Sequence, residues 1–199
     1  EKYEEDKEKM VAKMRDKGFR EAEIISDTIY RHNDKSINID LEIHEGPKYY
    51  FGEISFVGNA KYPTSLLRQV LKIEKGEVFS EAKLEKTLRG SPSSDDISSI
   101  YLNDGYLTFN VDPVQTKIYG DTVDLEIRIF EGPQYTINKI ILKGNELTND
   151  PVVLREIRTK PGQKFSKEAL IRSQRQITQL GNFDEQKVDS KPIPNPSDG

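Results

Sequence analysis

The feature that most constrains this chain is a long internal echo. Gly58-Asn59 returns as Gly144-Asn145, 86 residues later. The same offset relates Glu45-Gly46-Pro47 to Glu131-Gly132-Pro133, Tyr49 to Tyr135, Gly76 to Gly162, Phe79-Ser80 to Phe165-Ser166 and Leu84 to Leu170. Apolar pairs such as Leu41/Ile127 and Leu71/Ile157 keep the register. One shared dipeptide carries no information, but this many matches at one offset mean duplication. Composition agrees. Only 34% of the 199 residues are hydrophobic and 32% are charged, against roughly 45–50% apolar content in an ordinary globular domain. That is thin material for one large core, so several small domains are expected.

The complete copy lies between the two Glu-Gly-Pro sequences. It opens with Phe51-Gly52-Glu53-Ile54-Ser55-Phe56-Val57, an apolar-rich strand stopped by Gly58-Asn59. Thr64 offers an N-cap for a helix that aligns Leu66, Leu67, Val70 and Leu71. Ser80 is the next N-cap candidate, ahead of Leu84 and Leu88. Asn103-Asp104-Gly105-Tyr106 then breaks the second helix. Leu107, Phe109 and Val111 alternate with polar residues, which predicts a second strand over Leu107–Lys117. After the hairpin Tyr119-Gly120-Asp121-Thr122, Val123, Leu125, Ile127 and Ile129 alternate with Asp124, Glu126 and Arg128. One face of this strand is apolar and the other charged, as in a sheet with helices on one side. The unit reads β-α-α-β-β, an α+β layer of two helices over a three-stranded mixed sheet.

The flanking copies are partial, so the chain reads as a piece of a longer array. Residues 1–48 supply the later part of one copy, 49–134 a complete copy, and 135–199 a copy without its final strand. In the first, Tyr3, Lys7, Met10 and Met14 fall on one helical face, Asp16-Lys17-Gly18-Phe19 matches Asn103-Asp104-Gly105-Tyr106, and Ile37, Ile39, Leu41 and Ile43 repeat the alternating last strand. In the last, a strand is expected at Thr136–Leu142 and an N-cap at Asp150. A helix follows Ser166 with Leu170, Gln174, Ile177 and Leu180 in line, and Leu180-Gly181-Asn182-Phe183 takes the Gly-aromatic position. Pro196-Ser197-Asp198-Gly199 reads as the turn before the missing strand. The middle copy is longer in one place, around Ser91-Pro92-Ser93-Ser94-Asp95-Asp96, a composition read as a solvated spacer within its second helix.

Several functions fall away on residue types alone. With no Cys there is no disulfide framework, zinc-thiolate site or thiol nucleophile, and two His leave little for a transition metal. A net charge of −4 without a long basic run argues against nucleic acid. No apolar run reaches the ~18–20 residues of a membrane helix, and the first residues do not read as a secretion signal. His32 and His44 have no nucleophile or ligand set beside them, and Asp95-Asp96 and Asp121/Asp124 lack Ca²⁺-loop spacing. The two Gly-Asn pairs lack the rest of a phosphate loop. No catalytic, cofactor or metal residue is assigned.

The order Ile-x-Phe-x-Gly-Asn, Gly-x-x-Phe-Ser, Gly-Tyr, then an alternating strand closing on Glu-Gly-Pro-x-Tyr resembles the POTRA (polypeptide-transport-associated) repeat, specifically that of outer-membrane protein assembly factors. The final copy, with Arg172-Ser173-Gln174-Arg175 ahead of Leu180-Gly181-Asn182-Phe183, is most similar to the repeat nearest the membrane barrel. The resemblance implies a non-enzymatic scaffold on the periplasmic face of the bacterial outer membrane, in a protein anchored by a C-terminal β-barrel outside this stretch. It implies handling of unfolded outer-membrane proteins and docking of accessory subunits. Related repeats in secretion and import pores are the alternative, as is a spacer array that only docks partners.

Binding must then come from backbone and surface. By the right-handed crossover rule the first and last strands of a copy are parallel neighbours, which leaves the middle strand at the edge. Pro113 fits such a place. An open edge offers N–H and C=O groups to any extended peptide, so Phe109, Val111, Val114 and Thr116 are the candidate peptide-binding residues. Glu45, Gly46, Pro47, Glu131, Gly132 and Pro133 are the candidate joints between repeats.

Overall fold

The structure, a computed structural model, describes residues 2–91, 93–145, 148–181, 183–184 and 187–195. Its contacts gather into two compact units. One comprises 1–57, 71–87 and 112–128; the other comprises 58–70, 88–111 and 129–199.

The first unit begins with helix α1 (Lys2–Arg15), followed by the hairpin β1 (Glu23–Asn33) and β2 (Ser36–His44). The two strands pair antiparallel, with Ile29 opposite Ile39 and a bulge between Ile24 and Ser26. Tyr3, Lys7, Val11 and Met14 are the partly covered residues of α1, while Met10 is exposed. The expected face is therefore shifted, with Val11 in place of Met10. Two polar contacts tie α1 to β1: the Tyr3 hydroxyl and the Lys7 ammonium both donate to Asp27 Oδ2, at 3.1 and 3.0 Å.

Strand β3 (Tyr50–Val57) pairs in parallel with β5 (Thr122–Phe130), and the sheet order is β3-β5-β4, with β4 at Asn110–Tyr119. The parallel pairing of first and last strands is as the crossover rule requires. In β5 the apolar residues Val123, Leu125, Ile127 and Ile129 are buried, and Asp124, Glu126 and Arg128 are not. The fold is α+β, with a mixed three-stranded sheet buried on one face. In the first unit Phe79 lies against Phe51, ring centroids 4.6 Å apart.

Helix α2 (Thr64–Leu71) buries Leu67 and Leu71. The second helix of the middle copy is broken into α3 (Glu81–Glu85), a π-helical turn (Lys86–Gly90) and α4 (Ile97–Asn103). The break falls at the extra residues, but it is not solvated throughout. Asp96 is fully buried and caps α4, accepting from Ser99 N at 2.8 Å, Ser99 Oγ at 2.9 Å and Ser91 N at 3.3 Å. A buried carboxylate needs such donors, and the insertion supplies them.

Strand β4 starts later than the alternation predicts. Leu107 and Thr108 form a turn, and Phe109 N donates to Tyr106 O. The Phe109 ring stacks on Tyr101 at 4.3 Å, so aromatic packing overrides the strand pattern there. In the last copy, α5 (Asp150–Leu154) and α6 (Lys167–Gln179) form as expected, except that Asn149, not Asp150, is the N-cap of α5. The strand expected at Thr136–Leu142 makes no ladder, only a bridge from Thr136 to Lys164. The Asn182 and Pro196–Gly199 readings lie outside the described residues.

Candidate functional site

Two kinds of feature have functional geometry: open strand edges and the joints between copies. Of the outer strands of the three-stranded sheet, β3 is partly shielded. Phe51 N donates to Glu77 O, Gly76 N donates to Phe51 O, and Tyr50 bridges Val78. The last copy repeats this, with Ile137 N on Gln163 O and Gly162 N on Ile137 O, each 2.7 Å. The Gly-x-x-Phe-Ser motif thus covers an edge that would otherwise invite pairing.

Edge strand β4 has no such cover among the described residues. Of the residues proposed from sequence, Phe109 precedes the strand and Val111 is buried. Val114 and Thr116 stand on it, beyond Pro113, and the Thr116 hydroxyl donates to Asp124 O at 3.3 Å. The edge that sequence reading missed is β1, the equivalent strand of the first copy. Among the described residues it pairs only with β2, in a two-stranded sheet. Along it runs a groove of about 580 Å³, walled by Lys7, Val11, Ala12 and Arg15 of α1 and by Ile24–Asp27 of β1, with Asp16, Glu81 and Ala82 in its lining. The alternating pattern of Ile24 to Ile29 is broken by the bulge, which hid this strand.

The joints repeat with little change. Tyr49 N donates to Gly18 O at 2.8 Å and Phe79 N to Tyr49 O at 2.9 Å; Tyr135 N donates to Gly105 O at 2.8 Å and Phe165 N to Tyr135 O at 3.0 Å. Gly18 and Gly105 have φ of +97° and +94°, and a Cβ on either would stand 3.0 Å from the carbonyl oxygen of Tyr49 or Tyr135. Only glycine fits both demands. Asp16 Oδ1 accepts from Ser80 Oγ and Ala82 N, each at 3.2 Å. Its counterpart Asn103 Oδ1 accepts from Glu168 N at 2.8 Å and Ser166 Oγ at 3.5 Å. Ser80 and Ser166 cap their own helices through Lys83 N and Ala169 N.

Charge reinforces the second joint. Burial tends to raise the Asp104 carboxyl, but the Lys164 ammonium at 3.0 Å, with Tyr62 and Lys61, holds it below the usual carboxylate range. The Tyr62 phenol is pushed up to about 12, first by burial and then by Asp104. Of the Glu-Gly-Pro joints, Glu131 Oε1 accepts from Lys61 N at 2.8 Å and from the buried Tyr101 hydroxyl at 3.0 Å. In the first joint Tyr49 donates to Glu21 at 2.6 Å, which raises its phenol.

A β-α-α-β-β unit clasped in this way to a partial copy on either side is the architecture of POTRA repeats. The chain belongs to that family: a family model described as "Surface antigen variable number repeat" matches residues 49–132 and again 135–198. The repeats are of the kind carried by BamA. The chain is 27% identical over 197 residues to the outer membrane protein assembly factor BamA of Neisseria meningitidis, covering 96% of this chain and 24% of that one. Against BamA of Neorickettsia risticii it is 26% identical, covering 82% of this chain and 21% of that one. It thus spans about a quarter or less of these relatives. In fold it is similar to the crystal structure of BamA POTRA3-5 from Haemophilus influenzae, with a TM-score of 0.70 and 17% identity, over 92% of this chain and 70% of that one. No described helix is long and apolar enough to cross a membrane.

Proposed function

We propose that this chain is the periplasmic receptor part of an outer-membrane assembly factor, organised as repeats 1–48, 49–134 and 135–199. It takes extended segments of unfolded outer-membrane proteins onto its open strand edges and passes them toward a barrel, without catalysis. The observation that carries this reading is the selective shielding of edges: the Gly-x-x-Phe-Ser loop covers the start of β3, whereas β4 and β1 have no such cover among the described residues. Edge pairing draws on backbone groups and so tolerates varied client sequences.

The test places photo-crosslinking residues at Thr28 on β1 and at Val114 and Thr116 on β4. Labelling of an unfolded barrel precursor at these positions is expected. Labelling only of folded accessory subunits would replace this reading with the docking array.

A further inference from the structure

We infer that the groove along β1 is a site shared by two consecutive copies, and that Asp16 is its positioning residue. This rests on the proposed strand addition. The groove takes α1 and β1 from the first copy and Glu81 and Ala82 from the next. The first copy alone therefore does not complete it. The side chain that ties these parts is Asp16, which lines the groove and accepts from Ala82 N and Ser80 Oγ. It satisfies a first-turn amide that the helix itself leaves unpaired, while Ser80 satisfies Lys83 N.

The groove's chemistry suits an extended segment with alternating apolar side chains. Val11, Ala12, Ile24 and Ile25 give it an apolar lining, which Lys7 and Arg15 share with the acidic Glu8, Asp16, Asp27 and Glu81. A strand seated there meets both copies, so its affinity depends on the clasp. By reciprocity, the bound strand then holds the copies at the clasped angle. The second joint shows what the clasp requires. Asn103 makes the same pair of contacts without a charge, so an acceptor oxygen at this position suffices.

The experiment uses the 199-residue chain and a fluorescein-labelled peptide of about ten residues with alternating apolar and polar side chains, the length of a membrane barrel strand. Because the chain has no cysteine, Lys35→Cys and Asp121→Cys accept spin labels cleanly. Asp16→Ala is expected to weaken peptide binding by about tenfold and to broaden the inter-label distances, which added peptide narrows again. Asp16→Asn should behave as wild type in both measurements. Equal binding by wild type and Asp16→Ala, or failure of Asp16→Asn to rescue, overturns this inference alone. No binding to wild type overturns it together with the proposed function.

Discussion

At the residue scale, the polar groups that matter are those burial obliges to find partners. Asp96 is the clearest, a fully buried carboxylate holding the start of α4. Asp96→Ala leaves two backbone donors unpaired and should cost about 1–3 kcal/mol, measured as a fall in the urea midpoint. Asp104 makes a prediction in pH. Its folded carboxyl lies below the ordinary value, so its contribution to stability is present above the unfolded pKa of about 3.9 and is lost as pH falls further through the folded one. Comparing wild type with Asp104→Asn between pH 6 and pH 3 should show a shallower acid decline in the variant. Identical pH profiles would mean that Lys164 and Lys61 do not act on this group.

At the scale of elements, two repeat positions have opposite fates in two copies. Val123 is fully buried and Leu125 is 2% exposed, whereas their counterparts Ile37 and Ile39 are 60% and 43% exposed. Leu125→Ala should therefore cost roughly 2–5 kcal/mol, and Ile39→Ala much less, by thermal unfolding of each variant. Similar losses would show that the two strands are equally packed. This contrast also bounds what the sequence could tell. The alternation of β5, the Ser80 and Ser166 caps and the sheet order were legible, because each depends on local chemistry or chain topology. The true start of β4 was not, because Phe109 answers to Tyr101 and not to its neighbours in sequence. Nor was the clasp, since nothing local says that Asp16 reaches Ala82.

At the scale of the whole molecule, the exposed apolar surface is the feature with consequences. Ile29 and Ile39 face each other across β1 and β2, both exposed, with Ile25 and Ile37 exposed on the same hairpin. A two-stranded sheet with such a face and an open edge is a surface for association. The chain should therefore self-associate as concentration rises, seen as a growing weight-average mass in sedimentation. The variant that tests the cause is Ile29→Lys with Ile39→Glu, which replaces an apolar cross-strand pair by an opposite-charge pair and so keeps the hairpin. It should remain monomeric over the same range while retaining the wild-type far-ultraviolet spectrum. Hydrogen exchange supplies the second reading: β2 should exchange faster than β5, its counterpart, because among the described residues it is paired on one side instead of two. A wild-type chain that stays monomeric throughout, with β2 as protected as β5, would show that this face is covered in solution.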